Sequence, residues 1–306
     1  MKPSPAQIES WRALPCRELM ARALETKLAR RGQRLSLCAI INAKSGQCSE
    51  DCRFCTQSAH FKTDTPVYPL KSAAEIIAAA RQAREDGASH FSLVTSGRGI
   101  TGGLLPEVAE IIAAIKDQVD IAICASLGIA TLPDLQTLKQ AGLSRYHHNL
   151  ETSREFFPQI VTTHSFGERL ATIEAAKEAG LEVCAGGIIG LGESETDRIS
   201  MALTLAELEI KSVPINILIP LPGTPLAESK PLAAREIMRT IALLRLILPD
   251  AALRLAAGRE SALHDFLGAA FLAGADGMMI GGYLTQRGRS AAADRLFVQA
   301  IREIWR

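Results

Sequence analysis

The sequence predicts an α/β protein of the (β/α)8 TIM-type barrel class with an N-terminal helical extension, and three observations carry the prediction. Eight short apolar runs alternate with amphipathic stretches along the chain. Glycine stands just before the next run at Gly87, Gly142, Gly180 and Gly274, where a left-handed C-terminal cap ends a helix. A length of 306 residues with 47% hydrophobic content is enough for one large core. Eight such units close most economically into a barrel; an open doubly wound sheet is the alternative the pattern allows. We therefore expect one domain over residues 1–306, with 1–31 a helical prelude and 32–306 the barrel.

The prelude rests on the helical spacing of Ile8, Leu14, Leu19, Met20, Ala23 and Leu24. Strands are expected at Leu35 to Asn42, His90 to Thr95, Ile121 to Ser126, Arg145 to Leu150, Glu182 to Ile189, Val213 to Leu218, Ala251 to Ala256 and Asp276 to Gly281. Helices are expected at Ser72 to Asp86, Leu105 to Lys116, Pro133 to Ala141, Ser165 to Ala179, Thr196 to Leu208, Ala233 to Leu248 and Ser261 to Ala273. Ser290 to Ala293 reads as a short Ala-rich stretch.

Period-two alternation sorts the strand faces, because the side packed on helices is the apolar one. Leu253 and Leu255 claim the outer face of their strand, so Arg254 points inward. By the same count Cys38, Ser92, Cys124, His147, Asn149, Cys184 and Asn216 point inward, with Leu37, Phe91, Leu93, Ile123, Val183, Ile215 and Ile217 outside. A barrel interior is normally filled by branched apolar side chains. An unpaired guanidinium and several amides there would cost several kcal/mol, so the interior must hold something that satisfies them.

The stretch Lys44-Ser45-Gly46-Gln47-Cys48-Ser49-Glu50-Asp51-Cys52-Arg53-Phe54-Cys55 carries three cysteines with no fourth nearby. Cys48, Cys52 and Cys55 can converge on one inorganic centre, and a 4Fe-4S cluster bound by three thiolates keeps one iron open. Three buried structural thiols on one helix face, or a zinc with an open position, are the other readings. The charged residues of the run leave little apolar stripe for the first, and the motif holds no histidine for the second.

A net charge of +1 with no long basic run leaves no electrostatic footprint for nucleic acid. The first 30 residues hold no continuous apolar segment of the secretory kind, and no window nears the roughly 20 apolar residues of a membrane span. A soluble cytoplasmic protein is expected, its seven cysteines reduced and available to metal.

With Phe54 just before its last cysteine, the three-cysteine motif resembles the signature of radical S-adenosylmethionine enzymes. The wider run from Asn42-Ala43-Lys44-Ser45-Gly46 to Gln57-Ser58-Ala59 resembles the biotin synthase family. The likeness continues through Tyr146-His147-His148-Asn149-Leu150-Glu151-Thr152-Ser153, Gly186-Gly187-Ile188-Ile189-Gly190-Leu191-Gly192-Glu193, Val213-Pro214-Ile215-Asn216 and Leu253-Arg254-Leu255-Ala256-Ala257-Gly258-Arg259-Glu260, and so spans most of the chain.

The resemblance implies a 4Fe-4S cluster on Cys48, Cys52 and Cys55 whose open iron chelates S-adenosylmethionine. It implies cofactor contacts from Phe54, Gln57, Glu151, Arg169, Gly186 and Gly190, with Glu151 where the family more often has Asp. Dethiobiotin, the implied substrate, would be held by Asn149 and Asn216, with His147 where the family often has another Asn and Thr285 near the carboxylate. The family also binds a 2Fe-2S cluster inside the barrel through three cysteines and an arginine, taken as the source of sulfur. Cys124, Cys184 and Arg254 match three of those positions, and the fourth falls on Ser92. A hydroxyl is a weaker iron ligand than a thiolate, so the inward Cys38 is expected to take its place beside Cys124 and Cys184. Three thiolates permit two irons or four. Cys16 reads as structural. A homodimer and an electron donor such as flavodoxin or ferredoxin are implied as well. A related radical enzyme that inserts no sulfur and a non-catalytic iron-sulfur carrier are the competing functions.

Overall fold

The computed structural model describes residues 2–100, 103–282 and 288–306; Thr285 lies outside the described residues. Its strands are β1 (Ser36–Lys44), β2 (His90–Thr95), β3 (Ala122–Ser126), β4 (Arg145–His147), β5 (Glu182–Cys184), β6 (Gly187–Ile189), β7 (Ser212–Ile217), β8 (Ala252–Leu255) and β9 (Gly277–Met279). All pair in parallel, in the order β5-β4-β3-β2-β1-β9-β8-β7-β6, and Cys184 of β5 meets Ser212 of β7. That last pairing closes the sheet into a barrel of eight staves, as expected, with β5 and β6 sharing one stave.

The expected fifth strand is therefore two pieces, and Pro214 explains the break. Proline has no N–H to give the ladder. A Cβ on Gly186 would lie 2.0 Å from the Pro214 carbonyl oxygen, so only glycine fits there. The Gly186 N–H is turned to the Asn149 side-chain oxygen at 3.1 Å instead. The same interruption brings Asn149 into fixed contact with the strand beside it.

Six connecting helices form where expected, at Ala73–Glu85, Leu104–Gln118, Leu132–Ala141, Phe166–Glu178, Glu195–Glu207 and Ala234–Ile247. Ser72, Ser165 and Ser194 each cap a first turn in a capping box with the acidic side chain three residues on. Gly87, Gly142, Gly180 and Gly274 all take positive φ, which is the left-handed exit the sequence required. The seventh helix departs from expectation. It is split into Arg259–Leu263, a 3-10 turn His264–Phe266 and Leu267–Leu272, because His264 adopts φ +43°.

The Ala-rich stretch at Ser290 is the start of a further helix, Ala291–Ile304, in which Ser290 caps the first turn and Val298 and Ile301 face the core. The prelude forms Pro5–Arg12 and Cys16–Arg31, parted near Pro15. Leu19 and Ala23 are buried, and Arg31 reaches the fully buried Asp276 at 2.6 Å, fastening the prelude to the barrel. No helix among the described residues is long and apolar enough to cross a membrane.

Candidate functional site

The three-cysteine loop leaves β1 at its C-terminal end, the end of a barrel where chemistry is usually built. Its shape is set by its own backbone. Cys48 N–H donates to Gln57 O at 2.9 Å, Ala59 N–H to Cys48 O at 2.7 Å and Cys55 N–H to Cys52 O at 2.9 Å. Gly46 turns into the loop at φ +79°, its N–H bonded to the Gln57 side chain at 3.1 Å. Gln57 thus shapes the loop that carries the thiols.

Two acids between the cysteines clamp the loop to the segment after β4. Asp51 accepts the backbone N–H groups of Thr162 and Thr163 at 2.9 and 3.2 Å and the Thr162 hydroxyl. Buried Glu50 accepts from Thr163 Oγ1 at 2.8 Å, meets His164 Nδ1 and lies 3.4 Å from Arg98. Sequence reasoning missed this clamp because its halves lie more than a hundred positions apart; the two adjacent acids were its one local signal.

Burial raises the Asp51 pKa, but hydrogen bonds from Thr162 and Thr163 outweigh it and hold the carboxyl at about 2. The folded value is below the ordinary 3.8, so the stability Asp51 confers is complete above 3.8 and is lost as pH falls towards 2. Losing these charge-assisted bonds in Asp51→Ala should cost roughly 1.5–3 kcal/mol. Chemical denaturation at neutral pH checks this, and the deficit should vanish near the acid limit.

Burial pushes the thiols of Cys52 and Cys55 up, Cys55 to about 11, and the neighbouring Cys48 adds to both shifts. Thiolates in so dry a place need a cationic body to hold them, which is what an iron centre supplies. Among the described residues no three His, Cys, Asp or Glu side chains group as ligands of one metal ion. A cluster has no such requirement, since each of its irons takes its own thiolate.

Beside the loop a pocket is lined by Phe54, Cys55, Gln57, Asn149, Glu151 and Asn216. Glu151 takes φ +69°, a strained backbone for a side chain of its size, held where Ile188 N–H bonds its carbonyl at 2.8 Å. Arg169 donates Nη1 to Asn149 O at 2.8 Å and lies 3.7 Å from Glu151, while its buried Nε has no partner among the described residues. An orphaned guanidinium N–H here fits a carboxylate-bearing ligand. Gly186 packs on Pro214, and Gly190 gives its N–H to Glu193 at 2.9 Å on an outer cleft, so both glycines position the strand end rather than line this pocket.

Deeper in the barrel a second cavity is lined by Cys38, Ser92, Cys124, His147, Cys184, Asn216 and Arg254, seven of the eight residues counted inward from the alternation. Asn149 lines the pocket above, and Asn216 lines both. The thiols of Cys38, Cys124 and Cys184 act on one another's charge. Burial raises Cys38 and Cys124, the latter to about 12. For Cys184 burial is outweighed by the His147 hydrogen bond and charge, by Arg254 and by the Ser212 hydroxyl, giving about 6. Arg254 donates Nε to Ser36 at 3.0 Å and Nη1 to Ser212, fixing its guanidinium at the wall. His147, expected at the substrate, lines this cavity together with Asn216 and acts on the charge of Cys184. Three thiols and a fixed guanidinium form a donor set suited to an anionic iron-sulfur body.

The same cavity is lined by His90 and Arg145, which sequence reasoning missed. Each lies two residues from an inward position, Ser92 and His147, so strict alternation would have found both. Cys16 stays structural in its surroundings, its sulfur against Met20 and the Arg235 carbonyl.

Comparisons with known proteins fit this geometry. Residues 44–205 match the Radical SAM superfamily and residues 214–301 the Biotin and Thiamin Synthesis associated domain. A biotin synthase from Pelotomaculum thermopropionicum is 51% identical over 285 residues, 93% of this chain and 89% of that protein. One from Thermotoga neapolitana is 48% identical over 275 residues, covering 90% and 98%. A methylornithine synthase superposes with a TM-score of 0.83 at 17% identity, over 98% of this chain and 93% of the other. An [FeFe]-hydrogenase maturase from Carboxydothermus hydrogenoformans gives 0.79 at 23%, over 93% and 70%. At such identities these two speak for the fold alone.

Proposed function

The chain belongs to the biotin synthase family, and from that premise we infer how its two thiol sites divide the work. It is a radical S-adenosylmethionine enzyme that inserts sulfur into dethiobiotin to give biotin. We assign the 4Fe-4S cluster to Cys48, Cys52 and Cys55, and an auxiliary iron-sulfur cluster, the source of the sulfur, to Cys38, Cys124 and Cys184 with Arg254 as neighbour or fourth ligand. Bound at the loop, S-adenosylmethionine and its cluster supply the carbon radical that removes unactivated hydrogens.

The protein's own residues do the rest. Arg169 holds the cofactor carboxylate through its free Nε, Glu151 takes the ribose, Phe54 and Gln57 line the seat, and Gly186 and Gly190 position the strand end beside it. Asn149 and Asn216 hold the cyclic urea. Each amide already spends one donor and one acceptor on protein: Asn149 on Glu151 and Gly186, Asn216 on Gly187 and Ala257. Each keeps one N–H and one lone pair, the complement a urea edge needs. The closed barrel keeps water out. Thr285 as carboxylate partner, a single barrel domain after a prelude of residues 1–31, a cytoplasmic homodimer, and reduction by flavodoxin or ferredoxin complete the reading, each supported by family likeness.

One observation carries this assignment: Asn216 belongs to both cavities, so a molecule held by it lies between the two thiol sets. The test is an anaerobic assay of reconstituted protein with reductant, S-adenosylmethionine and dethiobiotin. Biotin together with 5'-deoxyadenosine is expected. 5'-Deoxyadenosine without biotin would favour a radical enzyme that inserts no sulfur, and neither product would leave an iron-sulfur carrier.

A further inference from the structure

Arg145 opens β4 with its side chain only 10% exposed, on the wall that carries the three inner thiols and Arg254. Its Nε and Nη2 both donate to a single oxygen of Glu182, at 3.0 and 2.6 Å. Glu182 begins β5 in register with Arg145, and its side chain is 69% exposed, so the tether stands at the rim while the cation faces the cavity. Nη1 has no protein acceptor among the described residues. On the other side Arg145 is in register with Cys124 of β3.

The Glu182 end of this pair stands in water, which screens its charge. Burying a guanidinium is unfavourable unless nearby anions offset it, and one largely hydrated carboxylate is a poor offset. The other groups that can turn anionic within reach are the inner thiols, which give up their protons on binding metal: Arg145 lines one cavity with Cys38, Cys124 and Cys184 and is in register with Cys124. Arg254 answers part of their charge from β8, and Arg145 answers it from the opposite arc of the barrel.

We propose that Arg145, held by Glu182, is a second cationic positioning residue of the inner centre, stabilising its anionic cluster and setting how readily that cluster accepts an electron. This rests on the assignment of an auxiliary iron-sulfur cluster to the inner cavity. Net charge and hydrogen bonding to sulfur are what set a cluster's potential, so a fixed cation beside it favours the reduced form. Glu182, carrying the opposite charge from farther out, partly cancels that effect.

The two residues therefore make a test with opposite signs. Arg145→Met, Arg145→Lys and Glu182→Gln are reconstituted anaerobically beside the parent, and iron, sulfide and the midpoint potential of the inner cluster are measured. Arg145→Met should shift the potential to more negative values and weaken cluster retention roughly 10- to 100-fold. Glu182→Gln should shift it to more positive values, and Arg145→Lys should stay near the parent. Arg145→Met and Glu182→Gln break the same ion pair, so a purely structural pair would move both alike or neither; either result overturns the proposal. If Arg145→Met does not hold the inner cluster or fold, Glu182→Gln and Arg145→Lys carry the sign test, and a Glu182→Gln shift that is absent or negative overturns it. A parent that binds only the loop cluster overturns the auxiliary assignment itself, a failure visible before any variant is made.

Discussion

Cys52→Ala, like Cys48→Ala or Cys55→Ala, should reduce 5'-deoxyadenosine and biotin formation together to the uncatalysed level, a loss of at least roughly a millionfold on the scale of enzymatic rate enhancements. Removing one thiolate would leave the loop with two protein ligands for a cluster that needs three, so the loop would no longer hold it. The loop should otherwise keep its shape, because its backbone bonds and the Asp51 and Glu50 clamp do not involve the thiols. Iron analysis should find the inner centre retained. Product assay by mass spectrometry and iron counting check this together; survival of 5'-deoxyadenosine formation would remove the loop from the chemistry.

Cys38→Ala should separate the two products. The loop cluster is untouched, so 5'-deoxyadenosine still forms, while biotin falls at least roughly 10- to 100-fold with the loss of an inner ligand. Ser92 and Cys124 are in register on neighbouring strands, with Cys38 facing the same cavity from β1. The double variant Cys38→Ala, Ser92→Cys returns a thiol to the position the family uses and should recover inner iron and part of the biotin yield. If Cys38→Ala keeps full iron and full biotin, Cys38 is no ligand.

The barrel was legible because its signals are local: apolar runs, capping boxes and left-handed glycines all act within a few residues. The inward set was legible for the same reason, since alternation needs only the strand itself. What the alternation could not reveal is where a strand stops obeying it. Pro214 breaks the stave at Gly186 through a contact between strands, and that contact also fixes the Asn149 amide. Arg145 was passed over although two positions from His147, because a charged residue at a strand start reads as solvated until Glu182 and the cavity are seen together. His264 broke the seventh helix with a backbone angle no propensity announces, and the helix at Ala291–Ile304 hid behind a composition that looked merely Ala-rich.

The most direct measurement follows the sulfur atom. Protein reconstituted anaerobically with heavy-isotope sulfide is freed of excess sulfide and given one turnover with unlabelled dethiobiotin, and the biotin is weighed by mass spectrometry. Two iron-sulfur centres in one barrel, with the inner one consumed, predict heavy biotin from the parent and almost none from Cys38→Ala. Unlabelled biotin, or a parent whose iron accounts for the loop cluster alone, would contradict the account.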